Sequence, residues 1–258
     1  MQIAVVSNLH GNLPALERVI TETQDLKEHG REIDRIYIIG LLGFMPFPKE
    51  VYEKVQNSEG FLIPIKGKYD QLISKFHDLD EDALEEMRNT LPQFVIDMVK
   101  WNRDAIGKEG RNWLKYVPSH LKEKFGENEF FFVYGDLFKQ VEEPEIFDQG
   151  EVKAGMPTNY YEKFLEPFKK YEVAVVGGRA HFVADTRYGK VVCPGSAGLK
   201  PTRDSRPTFA VIDTVNTDVS FFEFDFEKNN TYQRIKEMRL PDETTDLLYH
   251  GYHGYQGL

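Results

Sequence analysis

The side chains best suited to chemistry fall just beyond short apolar runs. Asn8 and His10 stand in Ser7-Asn8-Leu9-His10-Gly11-Asn12, directly after Ile3 to Val6. Lys68 and Tyr69 follow Phe61 to Ile65 in Gly67-Lys68-Tyr69-Asp70, and Tyr134 follows Phe130 to Val133. Arg179 and His181 follow Val173 to Val176 across Gly177-Gly178. In open α/β sheets ligands bind beyond the carboxyl ends of the strands, so these residues are the expected site. An ammonium, a guanidinium, an imidazole, an amide and two phenols can hold a phosphate or carboxylate through charge-assisted hydrogen bonds. The bland alternative for Lys68 and Arg179 is solvation at loop ends, and for His181 an ordinary strand-end hydrogen bond.

Other site chemistries lack their patterns. Pro194-Gly195-Ser196-Ala197-Gly198 misses a nucleophile elbow because Pro194 takes the place of the first glycine. Gly67-Lys68 has neither the preceding glycine spacing nor the following Ser or Thr of a phosphate-binding loop, and no G-x-G-x-x-G opens a helix after a strand. Cys193 is the one cysteine, which excludes an intrachain disulfide and fits a reducing compartment.

Ser7-Asn8-Leu9-His10-Gly11-Asn12-Leu13-Pro14-Ala15-Leu16 resembles the opening S-D-x-H-G-N and helix of calcineurin-like metallophosphoesterases, of the bacterial and archaeal phosphodiesterase type. The loop ending Phe44-Met45-Pro46-Phe47-Pro48 is similar to that family's G-D-x-V-G-Y-G-P-x-P, one residue shorter. Gly67 to Asp70 takes the place of G-N-H-D, Tyr134-Gly135 that of a strand-end His-Gly, and Gly177 to Ala180 that of G-H-T-H. Cys193 to Gly198 resembles N-P-G-S-V-G. The matches run in order over almost the whole chain.

The resemblance implies an αββα sandwich of two mixed β-sheets flanked by helices, and enzymes of the family hold two divalent metals. At the implied ligand positions stand Asn8, Gly40 or Leu41, Lys68, Tyr69, Tyr134, Gly178 and Ala180, and His10 alone is retained. His181 lies one place beyond the expected imidazole. One histidine cannot hold two metals, so no metal and no catalytic residue is expected. Manganese, nickel, zinc or iron enters only if a residual site works, with His10 then acting as acid or base. Three readings stay open: a binding or protein-interaction module, an altered phosphoesterase using one metal or none, and a sensor of an anion or nucleotide.

The elements that must position these residues follow from periodicity. Ile3 to Ser7 reads as a strand covered on both faces. A helix with Pro14 in its first turn and an apolar stripe follows, then a strand at Ile36 to Ile39, which together make a parallel unit. Pro48 to Gln56 reads as helix, and about 76–120 as a helical excursion divided at Pro92. Thr208 to Ile212 and Val219 to Phe224 are later strands, as is Lys190 to Val192, and short loops suggest antiparallel pairing. The 258 residues show no linker that divides them, so one domain is expected, with a Gly-rich tail from about 245 that frays. Hydrophobic content of 41% is ample for a core, while a net charge of −10 argues against broad nucleic-acid binding. No apolar stretch reaches the roughly 20 residues of a membrane helix. A cytoplasmic protein binding a phosphate-containing small molecule or a protein partner is the expectation.

Overall fold

Period-two alternation in the first strand sends Ile3 and Val5 to one face and Ala4 and Val6 to the other, and both faces are buried. A strand covered twice needs a layer on each side. In the computed structural model, which describes residues 1–76, 81–135, 152–166 and 171–252, these layers are a second sheet and a set of helices.

The chain runs through β1 (Gln2–Ser7), α1 (Leu13–Glu28), β2 (Ile33–Ile39), α2 (Pro48–Gln56), β3 (Leu62–Ile65) and α3 (Lys68–Lys75). There follow α4 (Glu81–Thr90), α5 (Gln93–Ala105), α6 (Gly107–Tyr116), β4 (His120–Phe125) and β5 (Asn128–Tyr134). Next are α7 (Thr158–Leu165), β6 (Val173–Gly177), β7 (His181–Thr186) and β8 (Gly189–Pro194). The described part closes with β9 (Thr208–Asp213), β10 (Val219–Glu223), α8 (Asn229–Glu237) and α9 (Asp242–His250). One mixed sheet has the order β10-β9-β1-β2-β3 and the other β4-β5-β6-β8-β7.

Three apolar clusters fix the layers. Ile3, Val5, Tyr37, Ile39, Phe130, Phe132, Val173, Val175 and Ile212 fill the space between the sheets. Ala4, Val6, Ile36 and Ile38 face Leu16, Val19, Val95, Leu114 and Leu247 on the helical side of the first sheet. Phe131, Val133, Ala174 and Val176 face Tyr161 and Leu165 of α7 on the far side of the second. This is the αββα sandwich implied by the motifs.

Several sequence expectations change. The strand at Lys190 to Val192 pairs antiparallel with β7, as expected, but in parallel with β6, and β9 and β10 are antiparallel. β4, β7 and α3 were not apparent from the sequence. The first two are edge strands with polar residues alternating outward, and α3 is short. The excursion breaks at Pro92, and again between Ile106 and Gly107. In the tail, Leu247, Leu248 and Tyr252 belong to the helix-side core, and the Tyr252 N–H donates to Lys200 O at 3.2 Å. Residues 253–258 lie outside the described part. Among the described residues no helix is long and apolar enough to cross a membrane.

Candidate functional site

Beyond β1 the chain turns in left-handed backbone. Asn8 has φ 51° and His10 φ 54°, a region that costs most side chains about 1–2 kcal/mol. The turn is held by hydrogen bonds to the next strand end: Asn8 N–H donates to Ile39 O, Leu9 N–H to Gly40 O, and Gly11 N–H to Leu41 O. Asn12 caps α1, accepting from Ala15 N–H at 3.2 Å while its amide donates to Gly198 O at 2.7 Å. Gly198 N–H returns a bond to Asn8 O, and a β-carbon on Gly198 would come within 2.0 Å of Leu9 O. Ser7 Oγ accepts from Gly178 N–H and lies 2.7 Å from Gly195 O. The two sheets are thus stitched together at the strand ends that carry the candidate residues.

Asp70 organises the middle of the site. Its buried carboxylate accepts three backbone N–H groups at 2.8 Å each, from Leu41, Leu42 and Gly67. Burial pushes its pKa up to about 6, against the opposing pull of those N–H groups and of Lys66. It is the one carboxylate among the described residues lining the cleft, and its oxygens are committed to backbone. Lys68 takes the first position of α3, where the helix dipole is already positive. Burial and then the charge of Arg179 hold its pKa below the usual lysine value.

His10 sits in an aromatic box. Its ring stacks on Phe44 with centroids 4.9 Å apart, and meets Tyr69 at 5.6 Å and Tyr252 at 5.7 Å. Nε2 shares a short hydrogen bond with the Tyr252 hydroxyl, while Nδ1 is buried without a hydrogen bond and leans on Gly43. Burial, then Arg179, pulls the His10 pKa down to about 3, so the imidazole is neutral at pH 7. The Tyr69 hydroxyl is also buried without a hydrogen bond, and burial raises its pKa.

Tyr134 covers a floor of three glycines. A β-carbon on Gly40, Gly67 or Gly177 would stand 3.5, 3.1 or 2.9 Å from its ring. Asn8, His10, Lys68, Tyr69 and Tyr134 come together around one tight cleft. Arg179 does not line that cleft. Its guanidinium carbon lies 4.2 Å from the centroid of the Tyr252 ring, yet its charge is felt at His10, Lys68 and Tyr69. His181 is a correction: it is exposed at the start of β7 with its ring 4.9 Å from Phe221, directed away by the strand's alternation. Tyr252 was missed, because a Gly-rich tail gives no sign of a partner so distant in sequence.

No protein-family model matches the chain. A metallophosphoesterase from Sphaerobacter thermophilus has the same fold, with TM-score 0.69 and 20% identity over 97% of this chain and 99% of that one. The hypothetical protein PH1004 from Pyrococcus horikoshii OT3 is 38% identical with TM-score 0.86, covering 97% of this chain and 98% of that one. The chain belongs to the same family as PH1004 and has the metallophosphoesterase fold. Protein MJ0912 of Methanocaldococcus jannaschii is 20% identical over 96% of this chain and 98% of its own length.

The metallophosphoesterase fold implies a pair of divalent ions, and the residues present do not fit one. Such ions need several carboxylates and imidazoles aimed at one point. Among the described residues no three His, Cys, Asp or Glu side chains converge. The strand ends offer an amide, a glycine and an ammonium, and the Tyr134 ring fills the space above the glycines.

Proposed function

We propose that this metallophosphoesterase-fold protein binds a phosphate-containing small molecule through Lys68 and Arg179 and lacks paired-metal hydrolysis. The observation that carries the reading is electrostatic. Burial, and then the charge of Arg179, hold the Lys68 pKa below the usual lysine range, and the Asp70 carboxylate beside it is turned to Leu41, Leu42 and Gly67. Positive charge is therefore concentrated at one end of a chain whose net charge is −10. A dianion reaching this end gains Lys68, the N-terminus of α3 and the field of Arg179 together.

His10 does not support acid–base catalysis in this state. A general acid or base works best with a pKa near the working pH, and about 3 is far below it. The test is thermal unfolding of the full chain with a chelator present. Inorganic phosphate should raise the unfolding temperature as a ligand of the native state does, and Lys68→Ala should abolish the rise. An equal rise in both proteins would defeat the reading.

A further inference from the structure

The cleft leaves no room for even a water molecule, against the roughly 300 Å³ at which small-molecule pockets begin. The cations it should use are also kept apart. Lys68 lines it, while Arg179 stands on the face of Tyr252. Tyr252 joins the two sides, with its hydroxyl on His10 Nε2 and its ring under the guanidinium.

Tyr252 is buried in the helix-side core. It follows α9 through Gly251, which has φ 68° and whose β-carbon would lie 2.2 Å from Lys200 O. Gly251 therefore joins α9 to Tyr252 as a glycine in left-handed backbone, packed against Lys200. Both Gly251 and Tyr252 rest on Lys200 of the loop after β8, Tyr252 by its N–H. Rotation at Gly251 would lift the phenol away without unwinding α9.

Resting on the anion-binding reading, we infer that Tyr252 is an internal plug, which an incoming phosphate ester must displace before Arg179 can join Lys68 and His10 around it. In the plugged state the imidazole is capped at Nε2 and 2% exposed. In the unplugged state Nε2 is free for an anion oxygen or its proton. The apparent affinity of the intact chain is then reduced by the fraction of molecules that are unplugged.

The experiment uses the full chain and its Tyr252→Ala variant, with two readouts: modification of His10 by diethyl pyrocarbonate, followed by peptide mass spectrometry, and calorimetric titration with inorganic phosphate. The plug predicts that Tyr252→Ala speeds modification of His10 and tightens phosphate binding, each by about tenfold or more. Tyr252→Phe keeps the packed ring and removes the hydroxyl, so it should give a smaller change in the same direction. If His10 becomes reactive but phosphate binds neither protein, the plug stands and the anion reading falls. If a folded Tyr252→Ala protein shows unchanged His10 reactivity and unchanged phosphate affinity, the plug is overturned.

Discussion

The Tyr252 hydroxyl bonds Nε2 of His10 across 242 positions of sequence, closing the one imidazole that the fold's usual site retains here. The contact makes the protonation of His10 a matter of stability. In the unfolded chain a histidine takes up a proton near pH 6.5, whereas native His10 resists it down to about 3. The unfolded state binds more protons across that window, so His10 contributes stability above pH 6.5 that is lost as pH falls toward 3. Between pH 7 and 4 the loss amounts to roughly 3 kcal/mol. Urea midpoints over that range should show a flatter acid limb in His10→Phe than in the parent protein.

Asp70 acts in the opposite direction. Its native pKa, about 6, exceeds the 3.8 of a free aspartate. The native state therefore binds the extra proton between pH 3.8 and 6, and the contribution of Asp70 falls as pH rises through 6. The parent chain should then show a shallower pH dependence than His10 alone dictates. Asp70→Asn should expose the His10 slope in the same urea series. It should also cost about 2–4 kcal/mol at pH 7, because an amide turns an N–H group toward the Leu41, Leu42 and Gly67 donors. A variant as stable as the parent would refute the loop-clamping role.

The glycine floor makes a steric prediction. A β-carbon at position 177 would stand 2.7 Å from Ile39 Cγ2 and 2.9 Å from the Tyr134 ring. Gly177→Ala should destabilise the protein by about 1–3 kcal/mol in chemical denaturation. Adding Tyr134→Ala relieves one of the two clashes, so the double variant should lose less than the sum of the single losses. Strict additivity would mean that Tyr134 does not rest on that floor.

His10 rests on Gly43 in the same way, with a β-carbon there falling 2.3 Å from Nδ1. Gly43→Ala should tilt the ring off the Tyr252 hydroxyl and raise the rate at which diethyl pyrocarbonate modifies His10. An unchanged rate in the folded variant would show that the ring tolerates the added methyl.

The sandwich was legible because its determinants are local: covered strands at Ile3 and Val173, the turn from Ser7 to Asn12, and Pro14 opening α1. The candidate residues Asn8, His10, Lys68, Tyr69 and Tyr134 were legible because each follows a strand of the same polarity. His181 failed because Gly177-Gly178 ends β6 and a new strand starts at 181, so alternation sends the ring outward. Asp70 looked like one more charged residue, and only the fold brings three N–H groups to it. Tyr252 gave no local signal at all, since its partners Lys200, Arg179 and His10 come from three other loops.

We propose that Lys68 and Arg179 stand where the fold's two-metal centre would be. The most direct test is metal stoichiometry. The full chain is equilibrated with excess manganese, nickel or zinc, freed of unbound ions, and measured by elemental mass spectrometry. Amide, ammonium, glycine and phenol at the ligand positions predict no stoichiometric metal with any of the three. Two equivalents per chain, lost on His10→Ala, would contradict the account.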